Sequence, residues 1–406
     1  MTKYGLGIGL ACMAAMSALA ASAEGFVTAD GPRLLLNGAE YRAIGVNVPH
    51  LHQAYMGTWL HIDQMYGSNE AARATMVEAI RDAGESNVAF IRFFANPGYP
   101  RDMDLLFIPD PERYWARMDE IFALCREHGV KLIPSLNAMP NFFADYYQEP
   151  KQAILDPDTK TYQACYNYIR DFVSRYKDDP TVLMWELGNE AMLGADVDRA
   201  GQQALPPGCF SDGVEPRAEY TREDSLTFDM LLRIYRDQTA FIKDIDPNHL
   251  VTSGDACVRP ECTSRRETFP DFKYRNDTLR EWIANNLLSQ PEPLDVASYH
   301  WYHRFEDPEP LGGHTVDTLI SLVRATHAAR VPVFIGEFGQ DADSHERDPR
   351  ADSLIETIDR LEDEEVSLIA LWVWHFTWQP EHTMTSDSRP ELIARVAAFN
   401  AKHADQ

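Results

Sequence analysis

Val182-Leu-Met-Trp-Glu-Leu-Gly-Asn-Glu190 is a short apolar run that breaks off at an amide and a carboxylate. Its apolar part is long enough for a strand and too short for a helix, and it is nearly continuous, as in a parallel strand buried on both faces. Working outward, comparable runs occur at Tyr41–Asn47, Val88–Ala95, Lys131–Asn137, Leu250–Asp255, Leu294–Tyr302, Val331–Phe338 and Leu368–Phe376. Amphipathic stretches separate them. Glu70–Ala83 places Met76, Val77 and Ile80 on one face ahead of Gly84, and Glu112–His128 repeats the pattern with Met118, Ile121, Phe122 and Leu124 ahead of Gly129. Eight such alternations predict an α/β chain closed into a (β/α)8 TIM barrel with long βα loops. An open doubly wound sheet is the alternative, but no GxGxxG follows the first run to support a dinucleotide-binding version.

The termini and composition narrow the setting. Lys3 precedes the apolar run Leu6–Ala20, and Ala21-Ser22-Ala23 fits a small-x-small cleavage site. Residues 1–23 therefore read as a signal peptide and residues 24–406 as the barrel domain, exported to the periplasm or beyond, with no membrane insertion and a monomeric state expected. The formal charge of −26 offers nucleic acid and anionic membrane no favourable field, whereas a neutral ligand is indifferent to it. Once Cys12 has left with the signal, Cys125, Cys165, Cys209, Cys257 and Cys262 remain. Export permits disulfides, and Cys257/Cys262 are spaced to staple one loop.

In a barrel of this kind, the residues closing each strand converge on one pocket at the C-terminal face. Read in order these are Asn47, Arg92, Asn137, Asn189-Glu190, Asp255, His300 with Tyr302, Glu337 and Trp374. The loops Val48–Asn69, Pro97–Pro111, Ala138–Thr161, Ala191–Thr221 and Ala256–Asp277 rise from the same face, and loops this long are usually functional. Two glutamates from different strands suit the cleavage of a glycosidic bond. That reaction needs one protonated carboxyl for the leaving oxygen and one ionised carboxylate for the oxocarbenium-like carbon, their pKa values set apart by environment. Glu186, four residues before Glu190, lies deeper and reads as a structural partner for Arg92 or another buried base. Trp59, Trp301, Trp372, Trp378, Tyr55 and Phe142 are candidates to line sugar subsites, with core burial the plainer reading for Trp372. Asp255 is read as touching substrate or bracing its loop.

The ordered set Trp185–Glu190 (WELGNE), Ser298–Tyr302 (SYHWY) and Ile335–Gly339 (IGEFG) resembles glycoside hydrolase family 5 of clan A, the family of cellulases and β-mannanases. The resemblance spans essentially the whole mature chain. It implies Glu190 as acid/base, Glu337 as nucleophile, Asn189 on the substrate 2-hydroxyl and Tyr302 orienting Glu337. By the same resemblance His300 and Arg92 support the carboxylates, Trp374 floors the −1 subsite, and the anomeric configuration is retained. Asn137, Asp255 and Trp301 complete the expected substrate-binding set. Cellulases of the family often carry a His near the end of strand three. Here that segment reads Ile133-Pro-Ser-Leu-Asn137, which turns the expectation from cellulose toward β-1,4-mannan. A β-glucanase or an exo-acting β-glycosidase is the alternative within the family.

No metal or other cofactor is called for by this reading. A different class arises from His50-Leu51-His52 after the first strand, since metal-dependent barrel hydrolases place an HxH pair there. Glu190, Asp255 and His300 would then be the further ligands such a site needs. A non-catalytic carbohydrate-binding barrel is disfavoured by the presence of both glutamates.

Overall fold

The computed structural model describes residues 25–137, 142–303, 315–340 and 352–404. The expected signal peptide and its cleavage site lie outside the described residues. The described chain opens with a small antiparallel sheet that the alternation of strands and helices does not announce: β1 (Val27–Asp30), β2 (Arg33–Leu36) and β3 (Ala39–Glu40). β2 turns into β3 through Asn37-Gly38, both at positive φ, the pairing a tight two-residue hairpin turn requires.

Eight parallel strands follow: β4 (Ala43–Asn47), β5 (Phe90–Phe94), β6 (Lys131–Asn137), β7 (Met184–Gly188), β8 (Leu250–Thr252), β9 (Ala297–His303), β10 (Val333–Gln340) and β11 (Leu368–Leu371). Each falls inside or within two residues of its expected run. Their order is β8-β7-β6-β5-β4-β11-β10-β9. The ring closes where Thr252 bridges to Val296, with Thr252 Oγ1 donating to the Val296 carbonyl at 2.9 Å and the Val251 N–H donating to Asp295 Oδ2 at 2.8 Å. The chain is a (β/α)8 barrel.

Strand alternation splits the apolar residues into two cores. Ala43, Phe90, Ile133, Met184, Leu250, Val296, Phe334 and Leu368, all near strand starts, fill the barrel's N-terminal end, and Val27 and Leu34 of the hairpin sheet pack onto them. The hairpin therefore plugs the bottom of the barrel. Ile91, Phe93, Trp185, Val251, Tyr299, Ile335 and Ile369 face outward and meet the helices. Helix Asn69–Glu85 buries Ala72, Met76, Ala79, Ile80 and Ala83 there and is capped by Ser68 Oγ accepting the Ala71 N–H, an interaction worth about 1 kcal/mol.

The long loops carry structure of their own, including the helices Leu51–Met56, Ile62–Tyr66, Pro100–Leu105, Phe142–Tyr147 and Cys262–Thr268. The expected Cys257–Cys262 staple is not formed. Cys257 and Cys262 are both buried with no disulfide between them. Burial pushes the Cys262 thiol up to about 12, which keeps it protonated and unreactive. Among the described residues no helix is long and apolar enough to cross a membrane.

Candidate active site

Above the apolar plug, the barrel interior turns polar around one fully buried guanidinium. Arg92 Nε donates to both oxygens of Glu186, at 3.0 and 2.8 Å. Its Nη1 donates to Asn47 Oδ1 and to Glu337 Oε1, both at 2.9 Å, and its Nη2 to Asn189 Oδ1 at 2.7 Å. A planar fork of donors is the group suited to joining four side chains from three strands. Glu186 is thus the structural partner it was expected to be, and Asn47 and Asn189 are fixed by the same cation.

Glu337 reaches this centre only because β10 is irregular. Ile335 pairs with Tyr299 while Glu337 pairs with His300, so Gly336 is an extra residue on its strand. Phe334 faces into the barrel and Ile335 out; strict alternation would send Glu337 out with Ile335. The bulge reverses the parity and turns Glu337 inward, while Phe338 takes the outer face. Only glycine fits the bulge, because a Cβ at Gly336 would come within 2.9 Å of His300 Nε2 and 3.2 Å of Ser298 Oγ. Asn47 Nδ2 donates to the Gly336 carbonyl at 2.9 Å and braces the same point.

Around the bulge, the Tyr302 hydroxyl donates a short hydrogen bond to Glu337 Oε2. His300 Nδ1 lies 3.0 Å from Glu190 Oε1 and 3.5 Å from Glu337 Oε1. An oxygen of Glu190, an oxygen of Glu337 and a ring nitrogen of His300 all lie within 4.8 Å of one another. The Glu190 side chain is 32% exposed and that of Glu337 5%, so one carboxyl faces the mouth and the other the interior.

Burial raises the pKa of Glu337 and of Glu190 alike. Arg92 opposes it for both, with His300 and Tyr302 helping at Glu337 and Arg259 at Glu190. The two carboxyls also repel as anions, so the pair retains a proton. Among the described residues Glu337 accepts from Arg92 and Tyr302, whereas Glu190 has the His300 contact. Hydrogen-bond donation thus favours the ionised form of Glu337 more than that of Glu190. Burial lowers His300 to about 4, so its imidazole is neutral beside the Glu190 carboxyl.

Several expected site residues are placed elsewhere. β11 ends at Leu371 rather than running on to Phe376, which changes the roles of the two tryptophans after it. Trp374 is fully buried against the helix layer, its indole N–H bonded to the Ala79 carbonyl at 3.0 Å, so it cannot floor a sugar subsite. Trp372, the first residue past the strand, is partly exposed. Its Cβ lies 3.6 Å from where a Gly339 Cβ would stand, and Tyr302 Cε1 lies 3.5 Å from the same point. Trp372 and Tyr302 thus both pack around Gly339, two residues after Glu337. Trp301 alternates with His300 and Tyr302 and is buried in the outer core. Tyr55 also points away from the mouth, donating to Glu120 Oε2 at 2.8 Å. Phe142 is buried against Tyr99. Asn137 ends β6, with its side chain outside the described residues.

The histidine pair lies in aromatic packing. His50 bonds Tyr66 and packs on Trp59, and His52 sits between Phe93 and Tyr114. Among the described residues neither joins a cluster of three potential ligands. Burial holds both near 3, as neutral core rings. His50, Trp59, Phe376, His61 and Trp378 instead build an aromatic ridge over the loops after β4 and β11. Trp59 lies parallel to Phe376 at 6.3 Å, and Trp378, 48% exposed, stands 5.7 Å from Trp59.

Asp255 does not face the pocket. It is fully buried, accepting the Met192 N–H at 3.0 Å and the Tyr235 hydroxyl at 2.7 Å. Burial pushes it up to about 7 against these two bonds. Between about pH 4 and pH 7 the fold then holds a proton that the unfolded chain has lost, and stability falls as pH rises across that window. Asp255→Asn removes this titration. The melting temperature of the variant relative to the unsubstituted protein is expected to rise from pH 4 to pH 7, as measured by thermal unfolding; a pH-independent difference contradicts the assignment.

The chain is similar to several known glycosidases. Residues 114–204, which include Asn189 and Glu190, match the family model described as "Glycosyl hydrolases family 2, TIM barrel domain". A putative mannan endo-1,4-β-mannosidase of Arabidopsis thaliana is 23% identical over 358 residues, covering 80% of this chain and 75% of that protein. An endo-1,4-β-mannanase structure from Rhizomucor miehei superposes with a TM-score of 0.60 at 19% identity, over 94% of this chain and 100% of the other. An exo-β-1,4-mannosidase structure from Opitutaceae bacterium strain TAV5 gives 0.58 at 16% identity, over 93% and 63%. The chain is a (β/α)8 glycoside hydrolase, and the family 5 resemblance carried by its WELGNE, SYHWY and IGEFG motifs is borne out.

Proposed function

We propose that this protein hydrolyses β-1,4-mannan within the chain, with retention of anomeric configuration, by double displacement. The observation that carries the reading is the spacing of Glu190 and Glu337, whose nearer oxygens lie within 4.8 Å. Retaining pairs stand about 5–5.5 Å apart, whereas inverting pairs need about 6.5–9.5 Å to admit a water. In the first step the Glu337 carboxylate attacks the anomeric carbon, and Glu190 gives its proton to the departing oxygen. In the second, Glu190 takes a proton from water, whose oxygen displaces Glu337 and returns the nucleophile to its ionised state. Arg92 and Tyr302 hold Glu337 anionic and aimed. Asn189, fixed through its Oδ1 to Arg92, turns its amide N–H donors to the sugar 2-hydroxyl.

Mannan as the polymer rests on the names of the relatives and on the strand-three segment that lacks the histidine common in the family's cellulases. The ridge of Trp59 and Trp378, with Trp372 beside the centre, offers aromatic faces on which sugar C–H faces stack. We place the protein outside the cytoplasm, released after Ala23 and acting as a monomer. The test is a screen of the purified mature protein against mannan, glucomannan, carboxymethyl-cellulose and aryl β-glycosides. Mannan and glucomannan are expected to lose viscosity early relative to the release of reducing ends. Faster cleavage of carboxymethyl-cellulose overturns the substrate, and release of monosaccharide alone overturns internal cleavage.

A further inference from the structure

Glu190 is not on a strand. It follows β7 in a left-handed backbone conformation, φ 52° and ψ 29°, at the start of the 3-10 turn Ala191–Gly194. A residue other than glycine stays in that region only where its surroundings fix it. Here the segment just after β8 grips the turn at three points. The Gly254 carbonyl accepts the Glu190 N–H at 3.0 Å, Asp255 Oδ1 accepts the Met192 N–H at 3.0 Å, and Arg259 Nε donates to the Leu193 carbonyl at 2.7 Å.

Of the three, Asp255 is the side chain with a second anchor. Its Oδ2 accepts the hydroxyl of Tyr235 at 2.7 Å, and Tyr235 is buried on helix Phe228–Ile245, outside the barrel wall. The Asp255 main chain is tied down as well, its N–H donating to Ser253 Oγ and its carbonyl accepting from Ser298 Oγ, both at 3.2 Å. Gly254 makes the close approach possible, because a Cβ there would stand 1.9 Å from the Gly188 carbonyl oxygen. The Met192 N–H is one of the donors a helical turn leaves free at its start, and at this depth Asp255 is its acceptor.

We infer that Asp255, clamped by Tyr235, is a positioning residue that sets the direction in which Glu190 presents its proton to the leaving oxygen. The inference rests on the assignment of Glu190 as acid/base, and it predicts a particular kinetic signature. Glycosides with poor leaving groups need the proton, whereas dinitrophenyl glycosides depart without it. A misdirected acid therefore slows glycosyl-enzyme formation for the first class and spares the second. General loosening of the fold slows both.

The experiment compares kcat/KM, which reports that first step, for a manno-oligosaccharide and a dinitrophenyl β-mannobioside. Asp255→Ala, Asp255→Asn, Tyr235→Phe and Glu190→Ala are measured beside the unsubstituted enzyme, each checked for folding by thermal unfolding. Asp255→Ala is expected to lose about 10²-fold on the oligosaccharide, the lower end of what a general acid contributes, and less than about 3-fold on the dinitrophenyl substrate. Tyr235→Phe, which lies beyond reach of substrate and keeps the folding core intact if the alanine variant does not, is expected to shift the same ratio by about 5-fold. Asp255→Asn keeps the Met192 acceptor and is expected to stay near the unsubstituted ratio. Equal losses on both substrates for Asp255→Ala, or for Tyr235→Phe, overturn the positioning role while Glu190→Ala still shows the leaving-group dependence. Absence of that dependence in Glu190→Ala overturns the acid/base assignment itself.

Discussion

Glu337→Gln is expected to lower kcat on mannan by about four orders of magnitude or more, because it removes the atom that forms the covalent bond. The fold should not suffer. Arg92 balances two buried carboxylates, Glu186 and Glu337, so the native centre carries one excess negative charge among these three groups. Gln keeps an oxygen for the Arg92 Nη1 bond and removes that excess. The melting temperature is therefore expected to hold or rise, the usual relation where a site is arranged for chemistry rather than stability. Residual turnover above about 1% in a contaminant-free preparation would place the nucleophile elsewhere.

Glu190→Ala separates the two steps. On mannan the loss is expected to be about 10²–10⁴-fold, the contribution of a positioned general acid and base. With an activated aryl β-mannoside the glycosyl-enzyme still forms but is released slowly, since no base activates water. Azide needs no base, and the opening left by a side chain that is one-third exposed admits it. Added azide should restore turnover and yield the β-glycosyl azide, identified by proton NMR. An intact fold with no rescue, or an α-azide product, contradicts the assigned role.

The barrel was legible because the β-runs are dense in apolar residues, several ending on a polar group, and because the stretches between them, such as Glu70–Ala83 and Glu112–His128, carry an apolar stripe of helical period. The pairing of Arg92 with Glu186 was legible for a related reason, as a charge at that depth requires an opposite charge. Strand ends were less so. Leu368–Phe376 reads as one apolar run, yet the ladder stops at Leu371, and Trp374, which that reading puts at the mouth, is buried against the helix layer. Trp301 was recoverable from alternation, since His300 and Tyr302 share the inner face and leave it the outer one. The bulge at Gly336 was not recoverable by that rule, because it breaks the rule. The glycine in Ile335-Gly336-Glu337 was its only local mark. The bottom hairpin did leave a signal, Asn37-Gly38 between two short apolar stretches. Asp255 lies just past the end of β8 and braces the turn after β7, where the sequence allowed either substrate contact or bracing of its own loop. Its partners Met192 and Tyr235 are 63 and 20 residues away in the chain, and no local pattern joins them.

Double displacement requires a covalent sugar ester at Glu337. Incubation with a dinitrophenyl 2-deoxy-2-fluoro-β-mannoside slows both steps through the electron-withdrawing fluorine and, with its reactive leaving group, lets the ester accumulate. Proteolysis and mass spectrometry should then find one fluoromannosyl unit on the peptide containing Ile335-Gly336-Glu337-Phe338-Gly339, attached at Glu337. An adduct on Glu190 or Glu186, or α-configured first product by NMR with no adduct at all, would contradict it.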